Sequence, residues 1–465
     1  MGAEQQPSLA LPGRPAGNGR LGALLDEARV SRKELARRVN EKSPLTGRRT
    51  AYDHTNVRRW LAGTPPKTEA VAMRIVDVLG ELLGRVVTLE DAGLGKSAAP
   101  SADVGLDFPQ DRQAALEGAV NCWSTVHRRD FLHLPGAAAF TVPTMRWLAR
   151  PIDDPVPQAG NLRVRQHDVD QLWAAAAKAQ VWDSRRGGGD WRSSQVLTCL
   201  QAATPLLRGT YSAETGQALH AAVAELARVV GWAAMDAGHR GAADRLLIQS
   251  LRMARSAGNV ELGSYVLATT ALSAFLAGRP AEAAEMAEAA YERGHGHAAP
   301  RVLAFCKLAE ARARARQGDG SGSGAALARC ESLLSGIRPG SYDPAWISYM
   351  TWERLATDSV EIFRDLGLTR VARDWAGPAS GMEVNRFTRA VGIQTAVLAS
   401  TYAIDGELEE AVAGGHRAVR ILSEVRSPRA HSYLHDLVTR LDPWKENDQV
   451  RSLAHRVRTE LPSTA

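Results

Sequence analysis

The stretch DHTNVRRWLAGTPP, residues 53–66, concentrates hydrogen-bonding side chains on what reads as one short helix. Asp53 is a good N-cap, and Gly63 followed by Pro65 and Pro66 is a strong stop. Val57, Trp60 and Leu61 share one face at i, i+3, i+4 spacing. At about 100° per residue, Thr55 and Arg59 point most directly away from that face, with Asn56 and Arg58 flanking them. Arginine donates to guanine edges and asparagine pairs with adenine edges, so Thr55, Asn56, Arg58 and Arg59 are candidates for reading bases. The same four residues would also suit a solvated helix face that touches nothing.

A reading helix needs others to hold it. LGALLDEARV (21–30) places Leu21, Leu24, Leu25 and Ala28 on a helical stripe. In SRKELARRVN (31–40), Ser31 and Glu34 have the spacing of a capping box. Leu35, Ala36 and Val39 give this second helix a core face, leaving Arg32, Lys33, Arg37 and Arg38 exposed. A fourth helix from about Thr68 to Leu83 turns Val71, Ile75, Val78 and Leu79 inward. Four short helices with the third so armed predict a helix-turn-helix domain, in which neighbouring groups grip phosphates. Arg32 and Lys33 are candidates for that grip, as are Arg48, Arg49 and Thr50 in the loop before the third helix. The loop arginines could equally be solvated. That loop, EKSPLTGRRTAY, runs to about twelve residues where three or four are usual.

The charge distribution favours the same end of the chain. Residues 14–67 hold 13 Lys/Arg and 5 Asp/Glu, a balance of +8 against +6 for all 465 residues, so the remainder sums to −2. A basic block of this kind is the electrostatic footprint of a phosphate-binding module.

The four cysteines, Cys122, Cys199, Cys306 and Cys330, are far apart, which predicts neither a disulfide framework nor a zinc site and fits a reducing cytoplasm. No run reaches the roughly 18 apolar residues of a membrane span. Residues 1–17 read as a flexible lead without the pattern of a secretory signal. From 95 to 164 the chain is rich in Gly, Pro, Ala and Ser, a connector with short helices. Within it, Arg128-Arg129 before Phe131-Leu132 mimics a twin-arginine export signal, but its internal position argues instead for a packed helix with a basic start.

Residues 165–445 carry an internal repeat. Gly238, Gly278 and Gly318 fall forty residues apart, Gly406 heads another copy, and Gly367 a weaker one. A small residue lies seven before each glycine, another five after and a third twelve after. The sets are Gly231, Ala243 and Ser250; Ala271, Ala283 and Ala290; Ala311, Ser323 and Cys330; Ala399, Ala411 and Ala418. The weak copy has Val360, Ala372 and Ala379. Antiparallel helices approach closely only where side chains are small, and glycine ends the first helix of each pair. Tetratricopeptide-type repeats use these spacings, while HEAT-like repeats have a period nearer forty and remain open. DGSGSG in the third copy reads more like a flexible loop than a helix start. Residues 446–465 complete the chain as a C-terminal helix and tail.

Two segments carry a family resemblance. VSRKELARRVN, the long loop, YDHTNVRRWLAGTPP and VVTLEDAGL, within residues 18–94, resemble the DNA-binding domain of actinobacterial (Streptomyces-type) transcriptional regulators. In these, a Cro/repressor-like (XRE-type) helix-turn-helix precedes a tetratricopeptide-like domain. Residues 181–238, from GGGDWR through PLLRGTYS to GWAAMDAG, resemble the opening of the same regulators' sensor domain. The resemblance implies an all-α protein with a helix-turn-helix domain followed by an α-helical-repeat superhelix. It also implies a role in development or secondary metabolism, and a peptide, small-molecule or protein ligand in the repeat groove. Tyr265, Arg301, Lys307 and Trp346 have the character of groove contacts, without an assigned site.

Nothing resembles a catalytic constellation, and neither cofactor nor metal is expected. The glycines at 187–189 lack the GKS/T of a phosphate loop, and His295 and His297 read as turn residues. The sequence therefore predicts a homodimeric regulator of operator DNA, since one such helix reads few base pairs and two-fold pairing doubles the site. A repeat-built interaction scaffold with weak nucleic-acid contact is the competing reading, and an enzyme on a helical-repeat body the third.

Overall fold

The computed structural model describes residues 17–41, 51–83, 87, 89, 91–94, 104–126, 139–149 and 162–461. The fold is all-α: among the described residues no strand forms, and an isolated bridge joins Arg163 and Thr210. The chain divides into two compact units at residues 101 and 102. The twin-arginine stretch at 128–132 lies outside the described residues.

The first unit is a four-helix head: α1 Gly19–Glu27, α2 Arg32–Glu41, α3 His54–Leu61 and α4 Glu69–Leu83. The inward residues expected from periodicity are buried, including Leu21, Leu35, Val39, Val57, Ile75 and Leu79 at 0% exposure, except Ala28 and Leu61, which are half-buried against the same core. Burying each of these side chains stabilises the head by about 1.5–3 kcal/mol. Asn18 caps α1, its Oδ1 accepting from Leu21 N at 3.1 Å, and its own N–H donates to the carbonyl of Leu61 at the end of α3 (2.7 Å).

The second unit opens with α5 Arg112–Ser124 and α6 Thr141–Ala149, which both pack against the helix Arg240–Ser256. The short helices expected of a connector thus belong to the body's own core, with Trp123 fully buried. Next come α7 Gln166–Arg186, α8 Gln195–Ala202 and α9 Thr204–Leu207. The repeats follow as helix pairs: α10 Ala213–Asp236 with α11 Arg240–Ser256, α12 Val260–Leu276 with α13 Pro280–Gly294, and α14 Pro300–Arg316 with α15 Gly320–Ser335. The fourth pair is α16 Trp352–Asp365 with a second helix broken into α17 Thr369–Asp374 and α18 Ala376–Ala379. The fifth is α19 Thr388–Ile404 with α20 Leu408–Leu422, and α21 Pro428–Arg440 and α22 Asp448–Thr459 end the body.

The glycine frame is physical. Gly278 has φ +79°, a conformation that costs any residue with a Cβ, and the same turn recurs at Gly238, Gly318, Gly367 and Gly406. The small residues of the frame are all buried where paired helices touch. Two of them also tie helix to helix: Ser250 Oγ donates to the Ala224 carbonyl at 2.7 Å, and Ser323 Oγ to that of Ala311 at 2.9 Å. DGSGSG departs from its expected loop. Asp319 accepts from Gly322 N at 2.8 Å and starts α15 there, so a cap and a packed face outweigh the low helix propensity of glycine. Helix α10 has the length and mean hydropathy of a membrane span, but 89% of its apolar window is buried in the body, and the helix carries the buried charges Glu225, Arg228 and Asp236.

Candidate functional site

Helix α3 is set by its caps. Asp53 accepts from Thr55 N at 2.9 Å and from Asn56 N at 3.0 Å, and these bonds hold its carboxyl below the usual range. At the other end Gly63 adopts φ +92°, with Thr64 N bonded to the Arg59 carbonyl at 3.0 Å. Trp60 anchors the buried face and meets Tyr52 edge-on at 5.5 Å.

The outward face carries Thr55, Arg58 and Arg59, all exposed. Asn56 is half-buried and partly engaged, since its Oδ1 accepts from Asp53 N at 3.1 Å to complete a capping box. Asn56 therefore serves the helix start as well as standing beside the proposed reading face. On α2, Arg32 and Lys33 are exposed. Arg48, Arg49 and Thr50 lie outside the described residues.

Ion pairing separates the cations of the head into two groups. Arg37 and Arg38 both bind Glu34, at 2.5 and 2.7 Å, and Arg37 also reaches Glu41. The two guanidiniums hold the Glu34 carboxyl at about 2. Only half of the expected capping box forms: Ser31 Oγ accepts from Glu34 N at 3.2 Å, while the Glu34 side chain turns to the arginines. Arg32, Lys33, Arg58 and Arg59 have no ion-pair partner among the described residues.

A brace that the sequence reading missed sits where the long loop leaves and rejoins the head. Asn40 Nδ2 donates to the Tyr52 carbonyl at 2.7 Å, and Tyr52 N donates to Asn40 Oδ1 at 2.9 Å. This reciprocal pair fixes the start of α3 against the end of α2. An asparagine closing a helix and a tyrosine just before the next N-cap were the available signal.

The body holds a second candidate. The first helices of all five repeats contribute to one central cavity with room for about 100 Å³ of solvent. Helix α7 closes the circle by packing on both α10 and α19. The closure is a clasp of buried charge: Arg389 binds Asp183 (2.5 Å) and Asp236 (3.0 Å), while Arg429, Ser427 and the Gly188 N–H also bind Asp236 at 2.8–2.9 Å. Burial would raise the Asp236 carboxyl, but Arg389 and Arg429 bring it below the ordinary value. The glycines at 187–189 serve this closure, since a Cβ on Gly188 would stand 2.1 Å from the Ala233 carbonyl oxygen.

Arg228, Arg312, Arg354, Arg389 and Arg429 line the cavity, against the carboxylates of Asp183, Asp358 and Glu361. Burial opposes ionisation of Glu361, but Arg312, Arg364 and Arg316 hold it at about 2. The suggested groove residues lie elsewhere. Tyr265 is fully buried and bonds Tyr349 at 3.0 Å, Arg301 binds Asp343, Lys307 binds Glu310, and Trp346 packs on Tyr265. His295 and His297 are exposed in the turn between α13 and α14.

Residues 21–95 match the family described as the SP15 N-terminal domain, which spans the head. No curated protein matches the chain.

Proposed function

We propose that the chain is a cytoplasmic, sequence-specific transcriptional regulator that binds operator DNA as a homodimer, with its helical body sensing a signal. The observation that carries this reading is the face of α3. Thr55, Arg58 and Arg59 stand exposed on a helix whose opposite side is buried, and the two arginines lack ion-pair partners among the described residues. A cation held in water without a partner gains from a phosphate or a base edge and displaces counterions as it does so. Arg32 and Lys33 would grip the backbone, with Arg48, Arg49 and Thr50 as further candidates. The resemblance noted above supports control of development or secondary metabolism, and a peptide, small molecule or protein as the signal in the repeat body. Ligand binding would shift the population between DNA-competent and incompetent states.

Fluorescence anisotropy across a salt series tests this, using an operator candidate and a scrambled duplex of equal length. A regulator shows clear preference for one sequence together with a steep salt dependence. Salt-sensitive binding without preference would favour the scaffold reading instead.

A further inference from the structure

The central cavity presents more cation than its own carboxylates use. Arg354 and Arg312 meet over Asp358: Arg354 Nε donates to one oxygen at 2.9 Å, and Arg312 Nη1 lies 3.6 Å from the other. Arg312 Nη2 binds Glu361 at 2.6 Å. The Arg312 side chain is 6% exposed, and its Nε is buried with no hydrogen-bond partner among the described residues. The terminal amino groups of Arg354 also have no acceptor among the described residues.

The charge count agrees. Arg312, Arg316, Arg354 and Arg364 are linked through Asp358, Glu361 and Asp365, four cations against three carboxylates. Asp436 lies 4.0 Å from Arg364, but it is paired with Arg440 at 2.8 Å, so including both leaves the excess at one. Much of the remaining lining is apolar, with Leu272, Phe305, Phe387 and Ile393 among it. A space of about 100 Å³ admits a small organic group and no folded partner.

We propose that this cavity binds a small amphipathic monocarboxylate, its head on Arg354 and the Nε of Arg312 and its apolar part against Phe305, Phe387 and Ile393. The inference rests on reading the body as a sensor. A carboxylate there supplies the missing acceptor through charge-assisted hydrogen bonds and neutralises the excess cation, while the aromatic lining takes the hydrocarbon. The same chemistry could arrive as a free organic acid or as the carboxyl terminus of a short apolar peptide.

Calorimetric titration of the full chain with decanoate and phenylbutyrate, each against its alcohol, tests the proposal. A pentapeptide ending in leucine, as acid and as amide, tests the second source. At least one acid should bind about tenfold more tightly than its neutral counterpart. Arg354→Gln should remove that preference while the body still melts in one cooperative transition, and Phe387→Ala should weaken acid and neutral partner alike. Selective binding of the peptide acid alone assigns the peptide source. Equal affinity for acids and neutral partners, no binding by any acid, or an acid preference that survives in Arg354→Gln overturns the proposal. DNA affinity is read in a separate titration, so loss of this site and loss of the regulator reading are distinguishable.

Discussion

The head and the body use arginine in opposite ways. In the head, Arg32, Lys33, Arg58 and Arg59 stand in water without ion-pair partners among the described residues. In the body, Arg228, Arg312, Arg364 and Arg389 have side chains 5–7% exposed, and each binds at least one carboxylate. An exposed, unpaired cation contributes little to stability, yet it is available to a polyanion. A buried guanidinium must be compensated, and in Arg312 and Arg389 that compensation ties distant segments together. The same residue type therefore marks a binding face in one unit and a closure in the other. Burial with a partner is what distinguishes the two.

The contrast breaks most visibly at Asp236. Asp236→Ala leaves Arg389 and Arg429 without a shared carboxylate, and unfolding of the body should be easier by about 3–5 kcal/mol, read from denaturant melts. Trp60→Ala should cost the head about 3–5 kcal/mol through the cavity it leaves. Because the two are separate compact units, DNA binding should then be lost while the melting of the body stays in place.

A smaller effect concerns a carboxylate that lacks a close partner. Asp244 lies 3.9 Å from Arg279, and burial raises its carboxyl to about 6 despite that arginine. The folded chain thus keeps a proton that the unfolded chain releases near pH 4. This contribution to stability is complete below about pH 4 and is lost as pH rises through about 6. Asp244→Asn should therefore be more stable than the parent at pH 8, with the gain vanishing near pH 4 in paired thermal melts. Smallest in stability are Arg32→Ala and Lys33→Ala, which should shift melting by less than about 0.5 kcal/mol. Each should still lower the slope of DNA affinity against salt by about 1.

Much of the architecture was legible because its signals are local. The third helix announced itself through Asp53, the Val57 and Trp60 spacing and Gly63, and each of these has its expected role. The repeat was visible because its turns need glycine and its helix contacts need small residues, at positions fixed relative to each other. What stayed hidden depends on residues far apart in the chain. Arg426 accepts from Gly189 N and donates to the Arg186 carbonyl across more than 230 positions, so the GGGD stretch looked like a loop and not a clasp. The cavity takes a few residues from each repeat, and no single window contains it. Asn56 shows a subtler limit, because a side chain suited to a base edge was also suited to a cap.

The central claim is that the exposed face of α3 reads bases. Selection of genomic fragments by the purified full-length chain, repeated with Arg59→Ala, tests it most directly. Enrichment of one inverted-repeat sequence is expected, and it should disappear in the variant. Weak, uniform retention of all fragments by both proteins would contradict it.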